Sequence, residues 1–366
     1  MTAAVVEPAR GLLPPRSAEI AGLQAVATYP CVTVLCTTRV GERLHPDDAN
    51  RLRQLIHEVA IRLRAELDPM QVQPVVDRLN DLFRDAADRP TSRAIALFVG
   101  GAVSRLHHLP LGVIDRVVVD PTFATRDLVQ GLQRRPPYLL LVLGSTTARL
   151  LSVEPGMRKI AQYDASPRPR TGERSGNRDA KTRDDQRRGF LRLVDKRLAG
   201  ELQRRPRPVV LAGVDRLTAE FTALTRNQRA MAGSTRGSHR QTPTNDLRAL
   251  ADSVLDTYLD AKESEVLERV DQAHRARRVA VGLDEVWLAA RNQLPDMLAV
   301  EESLAVPARI GAGHDLLRAE DAAHPEVLDD AVDELVKIVI AAGGWVAFLR
   351  DGALSSFGGV VLALRT

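Results

Sequence analysis

Two kinds of apolar run alternate along this chain, and that alternation limits its fold more than any other feature. Short runs rich in Val, Leu and Ile, bounded by turn residues, fall at 31–40, 94–99, 103–109, 116–119, 138–143, 148–153, 159–163, 208–213, 279–282, 297–300, 345–349 and 360–364. Each is the length of a strand. Between them lie ladders with i, i+3, i+4, i+7 spacing, which predict amphipathic helices. They comprise Leu52, Leu55, Ile56, Val59 and Leu63; a second set from Val72 to Phe83; Leu191, Val194, Leu198 and Leu202; Leu247 to Leu259; and Leu328 to Val339. Alternation of this kind gives sheets covered by helices, an α/β class.

At 366 residues the chain exceeds what one core supports, so it must divide. Pro136-Pro137 cannot continue a helix and marks one boundary. The Arg- and Gly-rich stretch 226–240, which carries no acid, reads as a linker and marks the other. Three consecutive α/β domains are therefore expected. They are 1–135, 136–240 with a basic loop at 166–189, and 241–366, the last an α-β-α sandwich.

Hydrophobic residues at 44% and charged residues at 27% fit packed cores and exclude wholesale disorder. Aromatics at 4% are too few for base-stacking platforms, so bound RNA would be held by charge. Cys31 and Cys36 sit at an odd offset in a strand and face opposite ways, which argues against a disulfide and for a reducing compartment. No uncharged apolar stretch reaches the roughly 18 residues of a membrane span. A cytoplasmic protein without membrane contact is expected.

Signatures of catalysis are missing from the sequence. There is no phosphate loop ending in Gly-Lys-Ser/Thr, no Gly-x-Gly-x-x-Gly, no Gly-x-Ser-x-Gly and no His-Glu-x-x-His. No cofactor and no metal are expected. His107 and His108 are adjacent in a strand, so they point to opposite faces and cannot share one metal. The acid pairs Asp47-Asp48, Asp184-Asp185 and Asp329-Asp330 are expected at helix beginnings, where the macrodipole favours them. Trp345 is expected to pack a core edge.

One segment asks for a partner. Between 166 and 189 stand Arg168, Arg170, Arg174, Arg178, Lys181, Arg183, Arg187 and Arg188 against four acids, and eight minus four equals the net charge of the whole chain, +4. A solvated loop of this kind presents guanidinium forks to phosphate, so these eight are the expected rRNA- or tRNA-binding residues. A helix is expected to resume near Arg183.

The C-terminal third supports a resemblance. The order of long helix, Val279-Ala-Val-Gly-Leu-Asp-Glu-Val286, strand, helix, Gly343-Gly344-Trp-Val-Ala-Phe-Leu349 and then Gly358-Gly359-Val360 entering the last strand resembles the C-terminal domain of archaeo-eukaryotic class-1 release factors and Pelota. The chain is similar to the bacterial relatives of that family, the group that includes the hibernation factor Balon. Departures matter equally. Gly-Gly occurs at 100, 343 and 358 and is never followed by Gln, so the residue that helps release factors hydrolyse peptidyl-tRNA is absent, as is an Asn-Ile-Lys-Ser codon motif. The resemblance thus implies a non-catalytic factor binding the vacant ribosomal A site in hibernation or rescue. Its partner would be rRNA, and delivery by a translational GTPase is left open, as is oligomeric state. The alternative is a peptidyl-tRNA hydrolase or RNase acting through 166–189.

Overall fold

The computed structural model describes residues 18–154, 157–165, 176–239, 242–311, 313, 315–319 and 327–365. They gather into two compact units, one comprising Pro136–Lys262 and the other joining the chain up to Arg135 with Glu263–Thr366.

The second of these begins with α1 (Ala18–Gln24), β1 (Cys31–Thr37), α2 (Pro46–Glu66), α3 (Pro69–Ala87), β2 (Ala94–Gly100), β3 (Val103–Leu109), β4 (Arg116–Asp120) and α4 (Arg126–Arg134). The strands form an antiparallel sheet in the order β3-β2-β1-β4. Period-two alternation divides β1: Val32, Val34 and Cys36 meet Leu52, Ile56, Val59 and Leu79 of α2 and α3, whereas Cys31 and Leu35 face the opposite core. The two cysteines therefore lie on opposite faces, both free. Burial raises both thiols, Cys36 to about 11, which suits core packing and not nucleophilic attack. Pro46 opens α2 at a position where its missing N–H costs nothing.

The unit's C-terminal sheet is reached through the second half of α7 (Thr244–Arg275). There follow β10 (Val279–Val281), α8 (Leu283–Asn292), β11 (Pro295–Glu301), the hairpin β12 (Ala308–Ile310) and β13 (Leu316–Arg318), α9 (Ala331–Ala341), β14 (Trp345–Leu349) and β15 (Val360–Leu364). The sheet order is β10-β15-β11-β14. One face packs α8 and α9 through Val286, Trp287, Leu335 and Val339. The other packs Val266, Val270 and Ala273 of α7. This is the expected α-β-α sandwich. Gly358 and Gly359 both have positive φ, 68° and 80°, so the Gly-Gly before Val360 is a backbone requirement of the turn into β15.

α4 fastens the N-terminal sheet to this sandwich. Its N-cap, Thr125, makes no side-chain cap. Instead Asp333 of α9 accepts from the backbone N–H groups of Thr125 (2.8 Å) and Arg126 (2.7 Å) and pairs with Lys337 at 2.7 Å. Arg126 meets Asp330 at 2.5 Å, with both side chains under 10% exposed. At the other end Gln133 donates to Val346 O and accepts from Phe348 N. Its amide thus occupies the open edge of β14 as a neighbouring strand would.

The other unit contains β5 (Tyr138–Leu143), β6 (Thr147–Val153), β7 (Met157–Asp164), α5 (Gly176–Arg204), β8 (Val209–Gly213), α6 (Asp215–Leu224), β9 (Met231–Arg236) and the first half of α7. Its sheet runs β7-β6-β5-β8-β9, antiparallel from β7 to β5 and parallel from β5 to β9. The central strands β5 and β8 are buried on both faces. Leu139, Leu141 and Leu211 pack Leu191, Val194 and Leu198 of α5 and Phe221 of α6. Tyr138, Leu140, Val142 and Val210 pack Leu247, Ala251 and Leu255 of α7.

Three local expectations change. The helix expected near Arg183 begins at Gly176, so more than half of the expected 166–189 loop is helical. No proline interrupts residues 170–205, which lets the helix extend toward its N-terminus. For the same reason Asp184 and Asp185 lie more than two turns inside α5, away from any cap, and Asp184 pairs with Arg187. The linker expected at 226–240 holds β9, paired in parallel with β8. Polar composition misleads there because an edge strand needs only one buried face.

Candidate nucleic-acid interface

α5 separates its residues by period. Phe190, Leu191, Val194 and Leu198 are buried against the sheet, and Arg188, Arg192 and Lys196 stand exposed at four-residue intervals. Four residues advance about 6 Å along a helix, so the three cations form a ridge roughly 12 Å long. Among the described residues Arg192 and Lys196 have no ion pair. Arg188 has one loose contact, 3.6 Å from Glu220, with its side chain 61% exposed. Leu193, 43% exposed, flanks the ridge.

Arg187, one residue earlier, behaves differently. Its side chain is 18% exposed and pairs with Glu220 (2.8 Å) and Asp184 (2.9 Å), joining α5 to α6. The Glu220 hydrogen bond, ahead of the opposing effect of burial, raises its pKa and keeps it firmly cationic. Such a guanidinium is committed to the domain's own packing. Arg216 approaches Asp184 at 3.5 Å from the same side.

Of the eight expected residues, then, the structure places Arg188 on the open ridge and Arg187 in an internal network. Arg178, Lys181 and Arg183 fall on the first turns of α5, with Lys181 two helical turns before Arg188; only their backbone is described. Arg168, Arg170 and Arg174 lie outside the described residues. Arg192 and Lys196 were missed as site residues, although the four-residue spacing that continues from Arg188 is visible in the sequence. The ridge can grip phosphates through planar forks and a point charge.

The helix and the five-stranded sheet beneath it fall within residues 137–293, which match the family described as bacterial archaeo-eukaryotic release factor family 3. Over those residues the chain is similar to the bacterial archaeo-eukaryotic release factors. The match covers the middle domain, α7 and α8, and ends before Gly358-Gly359. Among solved structures, the model of ribosome-bound archaeal Pelota and ABCE1 is 13% identical over 95% of this chain and 94% of that one, with a TM-score of 0.45. The archaeal translation termination factor aRF1 is 14% identical over 95% and 98%, at 0.26. Dom34 of S. cerevisiae is 12% identical over 77% and 76%, at 0.42. No curated protein matches. Among the described residues no helix is long and apolar enough to cross a membrane.

Proposed function

We propose that this release-factor relative is a cytoplasmic ribosome-associated factor that occupies the vacant A site through its middle domain and acts in hibernation or rescue without hydrolysing peptidyl-tRNA. One observation carries the reading: a middle domain of the release-factor type presents an exposed cationic ridge on α5, in a chain where no Gly-Gly is followed by Gln. The ridge and the arginines that precede it supply charge-assisted contacts to rRNA or tRNA phosphates. Such contacts position a factor without reading sequence, which suits a factor that must recognise ribosomes irrespective of the codon.

Cosedimentation with ribosomes across a salt series tests this. Association at low salt that declines steeply with salt is expected, and no association at any salt overturns the reading. A single-turnover assay for release of labelled peptide, run beside an RNA-cleavage gel, should show no turnover. Turnover lost on neutralising the ridge would assign hydrolysis instead.

A further inference from the structure

The C-terminal sandwich has one end that the fold closes and one that it leaves open. At the closed end β11 and β14 finish beside Glu302, whose side chain and carbonyl are taken by Arg134 and Arg126 of α4. At the open end β15 finishes between the starts of β10 and β11. Leu364 N donates to Arg278 O (3.0 Å), and Arg365 N donates to Leu294 O (3.0 Å). These bonds bring three segments together: 275–278 at the end of α7, 291–294 at the end of α8, and Arg365 just past β15.

Those segments carry Arg275, Arg277, Arg278, Arg291 and Arg365, all exposed, and no acid occurs in 272–283 or in 291–295. Among the described residues none of the five is in an ion pair. Arg275 and Arg365 each reach one backbone carbonyl, Asp271 O and Ala342 O, and Arg291 lies 4.9 Å over the Trp287 ring. Like charges gathered at one end of a sheet without a carboxylate partner repel one another and work against the fold.

Arg277 adds a second, independent sign. It stands just past the end of α7 with φ 53°, and it is the one described non-glycine residue with positive φ. Arg278 N closes the turn on Ala273 O at 3.0 Å. Helices that end this way favour glycine at that position, because a Cβ is strained there. Here the chain keeps an arginine at a site where glycine would be more stable.

We infer that this open end of the C-terminal sheet is a second RNA-binding surface, gripping the sugar–phosphate backbone of a folded RNA independently of the ridge on α5. All five charged side chains are donors only, and exposed Asn292 and Gln293 add neutral amides beside them. A surface of several separated guanidinium forks fits a polymer that repeats its anion along a backbone.

The test is binding of the full chain to a short RNA duplex of about 20 base pairs over a salt series. It is made in a background with Arg188, Arg192 and Lys196 already replaced by Ala, so that failure of the α5 reading leaves this result intact. Adding R277A/R278A/R365A should weaken the remaining binding on the order of tenfold and reduce the log-log salt slope by up to about three. R277G should raise the melting temperature and still weaken RNA binding, a divergence that a purely structural residue would not give. Unchanged affinity and slope in the triple variant would overturn the inference. It would equally be overturned if the variant lost binding to poly-glutamate and kept its RNA affinity, which would assign the surface to an acidic protein.

Discussion

α4 and α5 both depend on arginine, and they bury it to opposite degrees. On α4, Arg126 is enclosed by Asp330, the Glu302 carbonyl and the Phe348 ring, and Arg134 by Glu263 and Glu302. On α5, Arg188, Arg192 and Lys196 face solvent. A count of charges does not show which of these cations are enclosed. Pairing separates them: an enclosed arginine is consumed by the carboxylates around it, and an open one keeps its donors for a ligand. Arg187 shows the same division within a single helix, one residue from Arg188.

Several substitutions break or sharpen that contrast. The largest stability loss is expected for Arg126→Ala, which leaves Asp330 buried without its partner. About 3–5 kcal/mol should be lost in chemical denaturation, with RNA affinity of the surviving folded protein unchanged. Next comes Gln133→Ala, which deprives Val346 O and Phe348 N of their partners and exposes the edge of β14. A loss of about 2 kcal/mol is expected by the same measurement.

A pH-dependent effect sits beside this clasp. Burial, reinforced by Asp329, pushes the Asp120 carboxyl up to about 7. The folded chain therefore holds a proton that the unfolded chain releases near pH 4, so this group's contribution to stability is full below about pH 4 and is lost as pH rises through 7. Asp120→Asn should flatten that part of the profile, and denaturant midpoints at pH 8 should be higher for the variant than for the natural chain. The smallest stability change belongs to the ridge: R188A/R192A/K196A should move the unfolding free energy by less than about 0.5 kcal/mol.

Local periodicity made most of the architecture legible in advance. The strand runs at 138–143, 208–213, 297–300 and 345–349 and the ladders of α2 and α3 appear where apolar spacing puts them. Features set by distant partners were not legible. α4 is positioned by Asp333 and by the β14 edge, both about 200 residues away, and its nine residues are too few for the Leu128–Leu132 spacing to announce those partners. The ladder of α7 was read as one domain's helix, yet Leu247 to Leu255 belong to the middle core and Val266 to Ala273 to the C-terminal one. In the candidate site, the richness in arginine was plain from composition. Which arginines are free was not, because Glu220 reaches Arg187 from another helix.

The most direct measurement is the salt dependence of ribosome binding by the natural chain and by R188A/R192A/K196A. If the ridge grips phosphate, the variant binds more weakly at every salt concentration and its log-log slope is shallower by roughly two to three. Superimposable curves from the two proteins would mean that α5 touches no RNA, and the proposed role of the middle domain would be wrong.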